Sequence, residues 1–280
     1  MKQRIILLLL ALCFSLPSVA QHRHEISIGG GYGLASLQYD YSSMDHKTGL
    51  GAQAGLNYNF YFAPQWSVKT GAGIALYNAE ASLVHDVSYT NTIKDLTPGL
   101  GDLDFTYTYT GYKESPSVTL LTVPIMVQGE TGGKTAFYAA LGAKIGIPVS
   151  AQYKTSGQLK TTGYSAKLNT TFDDLKDYGI GEYTVDQTTD WDLNVSVQLA
   201  VEAGAKWRFT DRLGLYAGVY FDYGLTELNK KPDDAGTRLI TYQRENPGEF
   251  LYGGLFNNSN KLYPVSVGIT LRLSFGFGSL

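Results

Sequence analysis

The sequence predicts an all-β chain: a transmembrane, up-and-down antiparallel β-barrel of eight strands with long extracellular loops and short periplasmic turns. Three observations predict it. Apolar and polar residues alternate over segments of membrane-crossing length, the connections alternate between tight and long, and the second strand face is built of glycine rather than charge.

A tilted strand crosses a bilayer in about 9 to 11 residues, and eight segments alternate over at least that length, at 26–37, 50–62, 66–77, 118–129, 135–153, 193–209, 213–225 and 265–277. The first follows the chain start closely. The second carries Gly51 and Gly55 on its small-residue face and ends in Phe60 and Phe62. The tight turn Ala63-Pro64-Gln65 leads to the third, which opens on Trp66 and places Lys69, Gly71 and Gly73 on the small face. The fourth centres on Leu121-Thr122-Val123-Pro124-Ile125-Met126-Val127, and the turn Thr131-Gly132-Gly133-Lys134 joins it to the fifth, with Phe137, Gly142, Lys144 and Gly146. The sixth is the clearest. Leu193, Val195, Val197, Leu199, Val201, Ala203, Ala205, Trp207 and Phe209 share one face, and Gln198, Glu202, Gly204, Lys206 and Arg208 lie on the other, a separation no helix achieves. Thr210-Asp211-Arg212 turns into the seventh, with Gly214, Gly218 and Asp222, and the eighth carries Gly268, Arg272, Phe275 and Phe277.

The remaining connections, 39–48, 78–117, 154–192 and 226–262, are long and polar. Short turns on one side and long loops on the other fix the topology, with the short side and both termini periplasmic. Two pieces inside the loops alternate as well, Phe105-Thr106-Tyr107-Thr108-Tyr109-Thr110 and, more weakly, Arg238-Leu239-Ile240-Thr241-Tyr242. They read as hairpin extensions above the membrane or as extra strands making ten. Pro116 favours extension, since a proline is expected to interrupt the first piece before the membrane run.

Alternation alone fits a soluble barrel with its apolar side turned inward. The glycine-rich second face decides for the membrane, because small residues suit a crowded interior whereas a soluble exterior would carry Lys and Glu. Phe60, Phe62, Trp66, Phe137, Trp207, Phe209, Phe275 and Phe277 cluster beside the short turns on the apolar face, as a periplasmic aromatic girdle would. Tyr39, Tyr58, Tyr153, Trp191, Tyr223 and Tyr263 are candidates for the opposite girdle.

Residues 1–20 read as a cleaved secretory signal: Lys2 and Arg4, an apolar run, then Ser18-Val19-Ala20, leaving 21–280 as one barrel domain. Cys13 lies inside the signal, so the mature chain has no thiol chemistry. The bulky Leu12 before it disfavours lipidation. A net charge of -3 with no basic tract excludes a nucleic-acid partner. The expected location is a bacterial outer membrane, the expected partners its lipid and the barrel-assembly machinery during biogenesis.

The run from Leu121 to Val127 with its central Pro124, then Phe137-Tyr138-Ala139-Ala140-Leu141-Gly142 and the closing Val267-Gly268-Ile269-Thr270-Leu271-Arg272-Leu273-Ser274-Phe275, resembles the small outer-membrane barrels of the OmpA and OmpX type, in particular the porin-family barrel domain of Bacteroidetes. The resemblance spans nearly the whole mature chain and implies the same fold. The ending Phe277-Gly278-Ser279-Leu280 departs from the terminal aromatic of usual barrels, and a peptidoglycan-binding function is not among those the resemblance leads one to expect.

Reading the phases inward places Lys69, Lys144, Lys206, Arg208 and Arg272 against Glu202 and Asp222. A crowded interior requires pairing, so Glu202 is expected to meet Lys144 or Arg272, and Asp222 another base. The network reads as a salt-bridge plug, or, given the basic excess, as a narrow path preferring anions. Catalysis would need a His with a Ser or acid at the outer rim, and His22, His24, His46 and His85 lack that arrangement, so no catalytic residue, cofactor or metal is expected. Neither His22-Arg23-His24 nor the acids Asp173, Asp174, Asp177 and Glu182 have the spacing of a dedicated metal site. The Tyr- and Thr-rich loops, with Tyr107, Tyr109 and Tyr112, read equally as surface shielding or as recognition surfaces for a host or neighbouring surface molecule.

Overall fold

The computed structural model describes residues 23–39, 44–83, 85–97, 99–230, 240–243, 245–246, 249–252 and 261–278. Its strands are β1 (His24–Tyr39), β2 (Met44–Ala63), β3 (Trp66–Leu83), β4 (Val87–Thr97), β5 (Gly101–Glu130), β6 (Thr135–Ser165), β7 (Thr170–Phe172), β8 (Gly181–Asp190), β9 (Ser196–Arg208), β10 (Leu213–Gly224), β11 (Ile240–Tyr242), β12 (Phe250–Tyr252) and β13 (Leu262–Phe277). The expected leader at 1–20 lies outside the described residues.

Eight of these strands close a ring, β1-β2-β3-β5-β6-β9-β10-β13, with every pairing antiparallel. The ring closes where His24 opposes Phe277, a register held to Tyr39 opposite Leu262. Alternation puts Ile28, Leu56, Ile74, Ile125, Leu141, Val219, Ile269 and Leu271 outward and exposed. A band of this kind is stable only against lipid. Opposite parity turns glycines and polar side chains inward, and the barrel is narrow enough that side chains fill it.

The long connections are more ordered than their polarity suggests. The second and third are largely strand: β5 and β6 run for 30 and 31 residues, about three times what a bilayer crossing needs. They stay paired from Glu130 opposite Tyr138 up to Leu103 opposite Ser165. β4 and β8 flank them, β4 on β5 and β8 on β6, which gives a four-stranded sheet above the membrane. The piece 105–110 is thus an upward extension of a membrane strand. The first loop is shorter than 39–48, since β2 already begins at Met44.

Pro116 does not interrupt β5, contrary to expectation. It opposes Tyr153 on β6, and the missing N–H is tolerated because the ladder to β3 lapses there, jumping from Asn78 opposite Ser117 to Ala81 opposite Glu114. Pro124 uses the same device, where the β3 ladder jumps from Gly73 opposite Thr122 to Thr70 opposite Ile125.

Candidate functional site

Two regions hold the polar and aromatic side chains that composition left unexplained: the barrel interior and the sheet above it. In the interior they form tiers. Nearest the periplasmic turns, Lys206 Nζ lies 2.6 Å from Glu25 and 3.2 Å from Glu130. Tyr216 donates to Glu25 at 2.6 Å. Arg208 meets Glu130 at 2.8 Å, and Arg23 lies 3.3 Å from Glu25. Above this, Glu202 takes Lys69 at 2.5 Å, Arg272 at 2.8 Å and the Tyr138 hydroxyl at 2.9 Å. The guanidinium of Arg272 stacks 4.4 Å over the Tyr216 ring. Higher still, Lys144 meets Asp222 at 2.5 Å and Gln53 at 3.0 Å. A cavity of about 70 Å³ lies among Gln53, Lys69, Lys144, Glu202, Asp222 and Arg272.

The uppermost tier is apolar. Leu37, Ala75, Tyr77, Val118, Leu120, Tyr153, Trp191, Leu193, Leu228 and Leu262 form one buried cluster. The chain after β10 supplies Leu228, whose amide donates to Leu262 and whose carbonyl accepts from Asn194. Three features of the sequence reading are corrected here. Tyr153 and Trp191 belong to this cluster, edge to face at 5.9 Å, and not to an outer girdle. Leu193 precedes β9 and turns inward, so it leaves the lipid-facing row. Tyr58 sits at the periplasmic end, its hydroxyl 2.7 Å from His24 Nδ1. Tyr223 is exposed and Tyr263 half-buried, while the side chains of Tyr39 and His46 lie outside the described residues.

All seven interior charges named from sequence face inward, with Arg208 at the periplasmic rim. Of the two partners expected for Glu202 the structure takes Arg272 and adds Lys69, while Lys144 is the base that goes to Asp222. Lys144 stands opposite Gln198 on β9, whereas Glu202 stands opposite Ala140, four residues further down β6. The basic excess is also corrected. Glu25 and Glu130, with Glu202 and Asp222, match the four buried cations Lys69, Lys144, Lys206 and Arg272 in number, which leaves Arg208, at the rim on Glu130, as the remaining named base. Both missed acids fell one residue outside the alternating segments, at 26 and 129, but their parity with Ser27 and Gln128 would have placed them inside. Of the girdle aromatics, Phe62, Trp66, Phe137, Trp207, Phe209, Phe275 and Phe277 are exposed beside the short turns and Phe60 is half-buried.

The sheet above the membrane has a core of its own. Leu103, Phe105, Tyr107, Tyr109, Tyr112, Leu159, Ile180, Val185 and Phe250 pack together, with Tyr89, Ile93, Tyr183 and Tyr242 against them. The β11–β12 hairpin caps it: Phe250 meets Tyr107 and Tyr183 edge to face, and Tyr242 donates to the Tyr178 carbonyl. Burial, with Asp174 nearby, pushes the Tyr183 hydroxyl above its usual range. The opposite face is a ladder of hydroxyls and ion pairs. Thr90 meets Thr106, Ser88 meets Thr108, and Thr92 donates to Asp104. Lys154 and Lys160 reach Asp186 and Glu182 on β8. This unit is a compact β-head, where the sequence suggested long loops with hairpin extensions.

Among the described residues, no three His, Cys, Asp or Glu side chains gather as a metal site would require. His85 and Asp86 are exposed on the link between β3 and β4.

Residues 18–230 match the model of the family described as outer membrane protein beta-barrel domain. The chain belongs to this family. As an outer membrane protein beta-barrel domain protein it resides in the bacterial outer membrane, the setting its exposed apolar band requires. Solved structures of other outer-membrane barrels are similar at low identity. The attachment invasion locus protein Ail of Yersinia pestis is 12% identical, with 90% of this chain and 98% of that chain covered and a TM-score of 0.30. OprG from Pseudomonas aeruginosa is 15% identical, covering 92% and 98%, at 0.36. The outer membrane protease OmpT from Escherichia coli is 12% identical, covering 94% and 99%, at 0.32. No curated protein matches the chain.

Proposed function

We propose that this barrel has a structural and surface-recognition role, adhesive in kind, exercised by its extracellular β-head on a host or neighbouring surface molecule. The observation that carries the reading is how the long strands are used. Their lower halves enclose a lumen filled by paired charges and topped by an apolar tier, and their upper halves build a separately packed head. A lumen packed in this way supports a scaffold better than a conduit. A head with a fixed aromatic core presents its outer face at little entropic cost, which favours binding.

The test excises residues 85–112, joining the chain near Ser82 and Lys113, which already oppose each other. The barrel is expected to keep its heat-modifiable gel mobility and its place in the outer membrane, while cells displaying it lose adherence to the surfaces the full chain binds. Unchanged adherence would overturn the reading. The porin-like role makes the opposite forecast: reproducible anion-preferring openings in a planar bilayer, changed by Lys144→Glu.

A further inference from the structure

We infer that the free edge of β4 is a self-recognition edge, which pairs antiparallel with β4 of a second copy. The inference rests on the recognition role proposed for the head and names the partner. Among the described residues β4 is paired on one side only, to β5, so its other edge offers backbone N–H and C=O groups in a row. Soluble edges are normally blunted by proline, charge or a bulge. From Val87 to Ile93 this one has none: the sequence is Val-Ser-Tyr-Thr-Asn-Thr-Ile, and the ladder to β5 is regular from Val87 opposite Tyr109 to Ile93 opposite Leu103. A strand so composed has high β-propensity and nothing to repel a neighbour.

The same segment is self-complementary. A two-fold axis through Thr90 sets Thr90 against Thr90, Tyr89 against Asn91, Ser88 against Thr92 and Val87 against Ile93 of the second copy. One step further out, Asp86 meets Lys94 at both ends, and both residues are exposed. The strand thus pairs apolar with apolar, hydroxyl with hydroxyl and acid with base, as an isologous contact requires. The exposed row Ser88, Thr90 and Thr92 already bonds to Thr108, Thr106 and Asp104, so pairing continues the hydroxyl ladder across the junction. Val87, Tyr89 and Ile93 are half-buried on the other face, beside the head core. Because β4 leads away from the barrel toward the turn before Gly101, antiparallel pairing points the two barrels in opposite directions. The edge therefore joins copies in two facing membranes.

The experiment reconstitutes the refolded protein into two vesicle populations with different fluorescent lipids and reads clustering by light scattering and by energy transfer between them. Vesicles bearing the natural chain are expected to cluster. Thr90→Lys on both populations places like charges at the two-fold axis, as does Thr90→Glu, and each is expected to reduce clustering at least tenfold while gel mobility still reports a folded barrel. Mixing Thr90→Lys vesicles with Thr90→Glu vesicles is expected to restore it. No clustering by the natural chain, or clustering indifferent to both substitutions, overturns the inference. If self-clustering is absent yet excision of 85–112 still abolishes adherence of cells, the recognition role stands and only self-pairing falls. If the excision changes nothing, the role itself falls.

Discussion

The enclosed charges are costly singly and cheap only in company. Lys206 holds both Glu25 and Glu130, so Lys206→Met leaves two buried carboxylates short of a cation, and barrel stability toward urea is expected to fall by about 3 to 5 kcal/mol. Lys47→Ala, which removes the exposed pair with Glu80, is expected to cost under about 1 kcal/mol in the same measurement. On the outer face, Ile269→Arg sets a charge against lipid on β13, where the midplane cost is about 2 to 4 kcal/mol, read as a lower urea midpoint for the bilayer-folded protein. At Gly204, which opposes Gly218, an added Cβ would lie 2.2 Å from the Ala217 carbonyl oxygen, so Gly204→Val is expected to abolish the heat-modifiable folded band. Which residues point inward was legible from parity. Which inward charge meets which was not, because Lys69 and Glu202 lie 133 positions apart and only ring closure brings them together.

At the scale of the element, the head is a separate packing problem from the barrel. Phe105 is fully buried in the head core, a cluster separate from the apolar tier of the lumen. Phe105→Ala is therefore expected to loosen the head by about 3 to 5 kcal/mol while leaving the barrel folded. Limited proteolysis should then cut within 87–112 at protease levels that leave the natural chain intact, with gel mobility of the remaining barrel unchanged. The membrane strands were legible because lipid enforces a strict period of two on one face. Their continuation above the membrane was harder to see, since there the same alternation reports packing of a small local core, and Tyr and Thr serve both faces. Pro116 shows the limit of a local rule: proline forbids one side of a ladder, and the neighbour that could dispense with that side was not visible from β5 alone.

Taken as a whole, the molecule is a closed ring whose interior is crossed by tiers of paired charges around a small cavity and topped by an apolar tier, so steady conductance is expected to be absent from a planar bilayer holding demonstrably folded protein. The sequence by itself determined the eight strands, their inward and outward faces, the side on which the turns are short and the membrane they cross, because each follows from local periodicity read against a solvent of known thickness. Only the tertiary structure decided the ion-pair partners, the balancing role of Glu25 and Glu130, the inward turn of Trp191 and Leu193, and the condensation of polar loops into a β-head. Those features depend on side chains far apart in sequence meeting inside one closed volume, and periodicity carries no information about which of them meet.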